Sequence, residues 1–182
     1  MDQYKTKVEN IMTHKVVTLS PDDTLEIAAQ FFEKYDFDGF PVIDNEHRLV
    51  GIVTAYEMIL QSSRIHLPVV FGIVGHSSED HERELKSHFE KIREIKIREI
   101  MNIDPLVIGP DVRVVDLAQE FAQHHRVNPI PVTDKERKIV GVVSRYDIIK
   151  FFNEKYLHEV LKGSDHSGVL RRLTRIAEEE EG

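Results

Sequence analysis

An α+β fold made of two copies of one β-α-β-β-α unit is predicted by three observations on this 182-residue sequence. Residues 8–59 recur as residues 97–149, and sliding 39–59 over 129–149 gives nine identities in twenty-one positions, where average usage gives roughly one or two. The hydrophobic period changes in the same order along both copies, from strand to helix to two strands to helix. A single copy of about fifty residues is marginal on its own. Two copies can bury the open faces of their small sheets against each other, which predicts an approximate twofold axis with a cleft on each side.

Each element has a local cause. The unit opens on a short β-branched run, Val16 to Leu19 or Leu106 to Ile108. Polar turns follow, Ser20-Pro21-Asp22-Asp23-Thr24 and Gly109-Pro110-Asp111, whose oxygens suit the cap of a helix. The helix after them carries Leu25, Ala28, Ala29 and Phe32 on one face in the first copy, and Val114, Leu117, Ala118 and Phe121 in the second. Two apolar runs then read as a hairpin, Phe40 to Ile43 with Leu49 to Val53 around Asp44-Asn-Glu-His47, and Ile130 to Thr133 with Ile139 to Val143 around Asp134-Lys-Glu-Arg137. A second helix starts at Thr54 or Ser144.

These elements divide the chain into a first repeat (1–60), an insert (61–96), a second repeat (97–152) and a helical tail (153–182). The insert is longer than ordinary connections. It holds an amphipathic helix beginning at Ser77 or Ser78, with Leu85, Phe89 and Ile92 at spacings of three and four, preceded by the run Leu67 to Gly75 that Pro68 and Gly72 interrupt. The tail continues through Phe151, Phe152, Tyr156 and Leu161, meets Gly163, and resumes as Val169 to Ile176.

Composition narrows the function. There are no cysteines, so disulfides, thiolate metal sites and a cysteine nucleophile are excluded. Met1-Asp2-Gln3-Tyr4-Lys5 lacks the apolar core of a signal peptide, which makes a cytoplasmic setting the expectation. The run 67–75 is about half the roughly 20 residues of a membrane-spanning helix, so no membrane span is expected. A net charge of −8 repels nucleic-acid backbones and requires any bound anion to be held by local groups. Lys91, Arg93, Lys96 and Arg98, like Arg171, Arg172 and Arg175, are interleaved or flanked by glutamates and read as solvated helix faces. His76, His81 and His88 are five and seven residues apart, not the three or four of facing metal ligands on a helix. No Gly-x-x-x-x-Gly-Lys loop or Gly-x-Ser-x-Gly elbow is present. A catalytic reading has no machinery to start from, and no catalytic cofactor is expected.

The strand-to-helix junctions carry the strongest local chemistry. Val53-Thr54-Ala-Tyr-Glu57 and Val143-Ser144-Arg-Tyr-Asp147 each place a hydroxyl at the helix start and a carboxylate three residues on. This is capping-box spacing, in which both groups satisfy free backbone donors, and Glu57 suits it better than the shorter Asp147. The same spacing serves a nucleotide, with hydroxyl and backbone donors on phosphate and the carboxylate accepting from two ribose hydroxyls.

Phe40-Pro41-Val42-Ile43-Asp44 with Leu49-Val50-Gly51-Ile52-Val53-Thr54, repeated as Ile130 to Asp134 with Ile139 to Ser144, and the Ile11-Met12 and Ile100-Met101 starts, resemble the CBS family, named for a domain of cystathionine β-synthase. The resemblance covers residues 8–59 and 97–150. It implies a tandem pair called a Bateman module, which senses adenine nucleotides or, less in keeping here, S-adenosylmethionine, performs no chemistry, forms a homodimer and reports occupancy to a protein partner. Carried over by position, it puts phosphate on Ser144 and ribose on Asp147, with Val107, Ile108, Val127, Pro129, Ile130 and Pro131 beside the adenine and Arg145 adding charge. The corresponding second, weaker site is Thr18, Leu19, Phe37, Gly39, Phe40, Pro41, Thr54 and Glu57, where Glu57 departs from the family's aspartate. His124, His125 and Arg126 stand in the loop before the second hairpin, at reach of a phosphate or simply in solvent. A ligand-independent interaction module acting through the insert and tail is the competing reading, with an enzyme built on the insert a distant third.

Overall fold

The structure is a computed structural model that describes residues 5–60 and 93–153. Two compact units divide the chain, Met1–Ser144 and Arg145–Gly182. The expected insert helix, the run 67–75, the histidines 76, 81 and 88, and nearly all of the tail lie outside the described residues. Among the described residues, no helix is long and apolar enough to cross a membrane.

The first unit has an α+β fold with two small antiparallel sheets. After a 3-10 turn at Val8–Asn10, the first repeat runs through α1 (Leu25–Lys34), β1 (Gly39–Ile43), β2 (Leu49–Thr54) and α2, helical over described residues 55–60. The second runs through the short α3 (Ile97–Ile100), α4 (Val114–Gln123), β3 (Ile130–Thr133) and β4 (Ile139–Val143). β1 pairs with β2 and β3 with β4. The second unit contributes α5 (Arg145–Phe152), with Asp147 in its first turn, Lys150 in its last, and Ile148 and Phe151 buried.

The hairpins form as the sequence predicts, and their turns are alike to the hydrogen bond. The Asp44 Oδ1 accepts from the N–H groups of Glu46 and Arg48, each at 2.9 Å. Asp134 does the same for Glu136 and Lys138. A residue in left-handed conformation closes each three-residue loop, His47 (φ 61°) and Arg137 (φ 63°), as three-residue hairpin loops with a bulge require.

The opening strand of each repeat is shorter than expected, a single parallel bridge from Leu19 to Val42 and from Ile108 to Val132. Leu19 N–H donates to the Pro41 carbonyl and Ile43 N–H to that of Leu19, at 2.9 and 3.0 Å. Extending the ladder one step toward Val17 needs an N–H on Pro41, and toward Leu106 one on Pro131. Proline has none, so the pairing stops.

Capping also differs from expectation. Thr24 caps α1, its side chain accepting from Ile27 N–H at 3.3 Å. The corresponding residue of α4 is Arg113, which makes no side-chain cap and instead forms a paired contact with Asp116 in the first turn. The expected cap from Gly109-Pro110-Asp111 is not made. On α1, Leu25 and Ala28 are buried, but Ala29 is exposed because the stripe passes through Ile27, Phe31 and Phe32, which pack on the core.

The head of each repeat is exchanged onto the other repeat. Val8 and Glu9 donate to the carbonyls of Val112 and Pro110, and Val114 donates back to Thr6, at 2.8–2.9 Å. Reciprocally, Ile97 and Arg98 donate to Asp23 and Pro21, and Leu25 donates to Ile95, at 2.8–3.1 Å. Ile97 and Ile100 thereby complete the apolar core formed by Leu19, Leu25, Ala28, Phe40, Val42 and Val53 of the first repeat. Phe40 is the centre of that cluster, with Phe31 and Phe32 edge-on to it at 5.6 and 4.8 Å. The basic residues at and just before α3 serve the same docking. Lys96 Nζ donates to the Asp22 carbonyl, Arg98 pairs with Asp22, and Arg93 lies 3.5 Å from Glu26.

Further along each head, Thr13 bridges Val142 and Asn102 bridges Ile52. These crossings require a glycine beneath them. A Cβ on Gly51 would meet Met101 Sδ at 2.7 Å and the Asn102 carbonyl at 2.9 Å, and one on Gly141 would meet Met12 Sδ at 2.6 Å. The hairpin tips join as well, Leu49 N–H donating to Arg137 and Ile139 N–H to His47.

Candidate functional site

The crossing of the second head over β2 creates a cleft of about 180 Å³. Ile52, Thr54, Tyr56 and Glu57 form one side, from the end of β2 and the first turn of α2. Asn102, Pro105 and Leu106 form another, and the loop Arg126, Val127, Asn128 and Pro129 closes it. Its walls are therefore drawn from both repeats. Isoleucine, leucine, valine and prolines supply an apolar lining, while the hydroxyls of Thr54 and Tyr56, a carboxylate, two amides and a guanidinium supply the polar points. The volume is below the roughly 300–1,000 Å³ of pockets for drug-sized ligands, so a nucleotide would fill it with part of its length outside.

The polar end is ordered by its own hydrogen bonds. Glu57 Oε2 accepts from Thr54 N–H at 2.8 Å and from the Thr54 hydroxyl. The Thr54 Oγ1 in turn accepts from Tyr56 N–H at 3.2 Å. Hydroxyl and carboxylate thus satisfy free donors at the start of α2, which is the capping arrangement that the spacing of these two residues predicts. Across the cleft, Asn128 donates to the Asp38 carboxylate, and Asn102 Oδ1 accepts from Asp104 N–H at 3.0 Å. Among the described residues, no group of three His, Cys, Asp or Glu is placed to hold a metal.

The cleft brings together residues that the sequence assigns to different sites. Thr54 and Glu57 of the first-copy set share it with Val127 and Pro129 of the second-copy set. Other candidates serve the core with their side chains: Leu19, Phe40, Pro41, Ile108, Ile130 and Pro131 are buried. Thr18 is half-buried, Gly39 begins β1, and Phe37 is exposed with its ring stacked 5.5 Å from Tyr35. Val107 is exposed. Ser144, at the end of the first unit, and Arg145 and Asp147, in the first turn of α5, are half-buried and make interactions of their own.

Ile52, Tyr56, Asn102, Pro105, Leu106 and Asn128 are lining residues that sequence reasoning did not single out. The signal for them was Gly51. A glycine inside a strand marks a place where another backbone comes close, and here that backbone is Asn102.

A family model for the CBS domain matches residues 8–63 and 97–154. The chain belongs to the CBS-domain family. It is a tandem CBS pair, 29% identical over 145 residues to a CBS domain-containing protein of Dictyostelium discoideum, with 80% of this chain and 90% of that one covered. Inosine-5'-monophosphate dehydrogenase of Methanocaldococcus jannaschii is 28% identical over 144 residues, 79% of this CBS chain but 23% of the enzyme. The chain spans about a quarter of the length of such dehydrogenases. Among solved structures, CBSX2 in complex with AMP matches with a TM-score of 0.61 at 20% identity, over 80% of this chain and 94% of that one. The CBS domain pair of protein MJ0100, in complex with 5'-methylthioadenosine and S-adenosyl-L-methionine, matches with a TM-score of 0.62 at 21% identity, over 82% and 98%. At these identities the likeness is one of fold.

Proposed function

We propose that this CBS pair is a non-catalytic regulatory module that binds an adenine nucleotide, AMP, ADP or ATP, between its repeats and passes occupancy to a protein partner. The observation that carries the reading is the cleft itself, where apolar walls from both repeats converge on a hydroxyl, a carboxylate and Arg126. The bound AMP of CBSX2, which shares the fold, supports the same ligand class. In a chain of net charge −8, a phosphate needs local cations. Arg126 at this cleft and Arg145 beside Ser144 supply them, and they disfavour the sulfonium of S-adenosylmethionine. By family resemblance the stronger grip is assigned to Ser144 for phosphate and Asp147 for ribose. Thr54 and Glu57 form the weaker one.

Ligand acts only through differential affinity: it shifts the molecule if it binds one arrangement of the repeats more tightly than another. The head that lines the cleft at Asn102, Pro105 and Leu106 is also the segment docked on the first repeat through α3 and the Asn102 bridge to Ile52, so occupancy and repeat contact share one segment. Tyr56 and Ile59 on α2 are 53% and 67% exposed, and Tyr146 and Ile149 on α5 are 70% and 57% exposed. Such apolar surface on the helix after each hairpin favours self-association as a homodimer.

Calorimetric titration with AMP, ADP, ATP and S-adenosylmethionine, repeated on Asp147→Ala, tests the reading. Saturable heat with an adenine nucleotide, weakened in the variant, is expected. A flat isotherm with every ligand removes the sensor, and an Asp147→Ala protein that binds as tightly as the parent removes that residue's role.

A further inference from the structure

Glu57 stands in the composite cleft with half of its carboxylate already used. Its Oε2 takes two donors from Thr54, the backbone N–H at 2.8 Å and the hydroxyl, which is the full capacity of one carboxylate oxygen. The hydroxyl oxygen is held from its other side by Tyr56 N–H at 3.2 Å. A ribose diol donates two hydroxyls to a carboxylate and is read best by both oxygens together. To reach Oε2 it must displace Thr54, and the half-buried Thr54 N–H would lose its partner.

We propose that Glu57 is the specificity-determining residue of this cleft. Latched onto Thr54, it withholds the paired acceptor that a 2′,3′-diol needs, so the cleft engages the base and phosphate of a nucleotide without reading its ribose. The inference rests on the adenine-nucleotide reading and sharpens it. The first repeat's site discriminates by base and charge, through Val127, Pro129 and Arg126, while ribose recognition is left to Asp147. The cause is one methylene. From the third helical position a glutamate spans back to the residue at the cap. An aspartate there falls short of the Thr54 N–H and leaves both oxygens for a ligand.

The test is equilibrium dialysis of AMP and 2′-deoxy-AMP against the full chain, the Glu57→Asp variant and the Glu57→Gln variant. At this cleft the parent is expected to hold AMP and 2′-deoxy-AMP equally tightly, and Glu57→Asp, at unchanged stoichiometry, to hold AMP at least tenfold more tightly than the deoxy form. Glu57→Gln, which keeps the length and an acceptor for Thr54, is expected to match the parent. Equal deoxy discrimination in Glu57→Asp and parent overturns the latch. If the parent binds no AMP, the sensor reading falls by itself, and the latch is still decided by whether Glu57→Asp gains AMP binding that 2′-deoxy-AMP does not share. Should Glu57→Asp lose its circular-dichroism signature of folding, Glu57→Ala decides. It removes the carboxylate altogether, and an unchanged ratio of AMP to 2′-deoxy-AMP affinity is expected. A loss of discrimination in Glu57→Ala would mean that Glu57 reads the ribose and overturns the proposal.

Discussion

Replacing Gly51 by alanine separates the two crossings that join the repeats. The added Cβ would stand 2.7 Å from Met101 Sδ, 3.0 Å from its Cγ and 2.9 Å from the Asn102 carbonyl oxygen. Methionine can rotate away, but that carbonyl is bound to Ile52 N–H at 3.0 Å, and Asn102 N–H is bound back to Ile52 at 2.9 Å. Ordinary contact therefore requires the head of the second repeat to retreat. Straining these two hydrogen bonds costs about 1 kcal/mol each, and overpacking typically adds 1–3 kcal/mol. Alanine returns about 0.4–1 kcal/mol through the unfolded chain. The net expectation is a destabilisation of about 2–4.6 kcal/mol, or a fall in Tm of roughly 4–18 °C for a chain of this size. At Gly141 the three atoms nearest the Cβ all belong to the flexible Met12 side chain, so Gly141→Ala should cost no more than about 1 kcal/mol. Urea unfolding of both variants followed by circular dichroism measures the difference. Equal costs, or a Gly51→Ala variant within about 0.5 kcal/mol of the parent, would refute the idea that a fixed backbone contact holds the repeats together there.

Arg126→Ala should weaken AMP binding several-fold and leave adenosine binding unchanged, because only the nucleotide carries the phosphate that the guanidinium meets; competition dialysis with the pair reads this. His47→Gly and Arg137→Gly should each stabilise the chain by about 0.5–1 kcal/mol, since each position holds a left-handed residue with a side chain, and a higher urea midpoint is the check. The Arg48 backbone N–H, followed by its side chain, holds the Asp44 carboxyl below its ordinary value. That contribution is complete above the unfolded value and is lost as pH falls through the lower folded one. The urea midpoint should therefore drop on acidification below about pH 4, and Asp44→Asn should flatten the drop.

Much of the fold was legible because duplication and hydrophobic period agree. The Asp44 and Asp134 turns, the hairpins and the amphipathic α1 and α4 follow from residues adjacent in sequence. What escaped is non-local. Nothing in Val8 to Met12 or Ile97 to Met101 announces that each head docks on the opposite repeat, since their apolar residues would suit a core on either side. The opening strands were read at full length because β-branched residues mark a strand, whereas the pairing is cut by a missing donor on a neighbouring strand, Pro41 or Pro131. Period alone points Ala29 inward with Leu25, Ala28 and Phe32, but Ile27 and Phe31 take that side of the arc and leave Ala29 exposed.

The site shows the same division. Thr54 and Glu57 were legible as a unit, and the structure shows the capping bonds that their spacing predicts. Their neighbours Asn102, Pro105 and Leu106 were not, because they arrive from the second repeat through the exchanged head. A cleft shared by both repeats is the consequence, and the motif residues of one repeat meet the loop of the other.

Hydrogen exchange of the full chain with and without saturating AMP tests this shared cleft most directly. Slowed exchange is expected in segments of both repeats together: the strand-to-helix junction at 52–57 and the stretches 102–106 and 126–129 that line the cleft. Unchanged exchange in all three segments, or protection confined to one repeat, would contradict it.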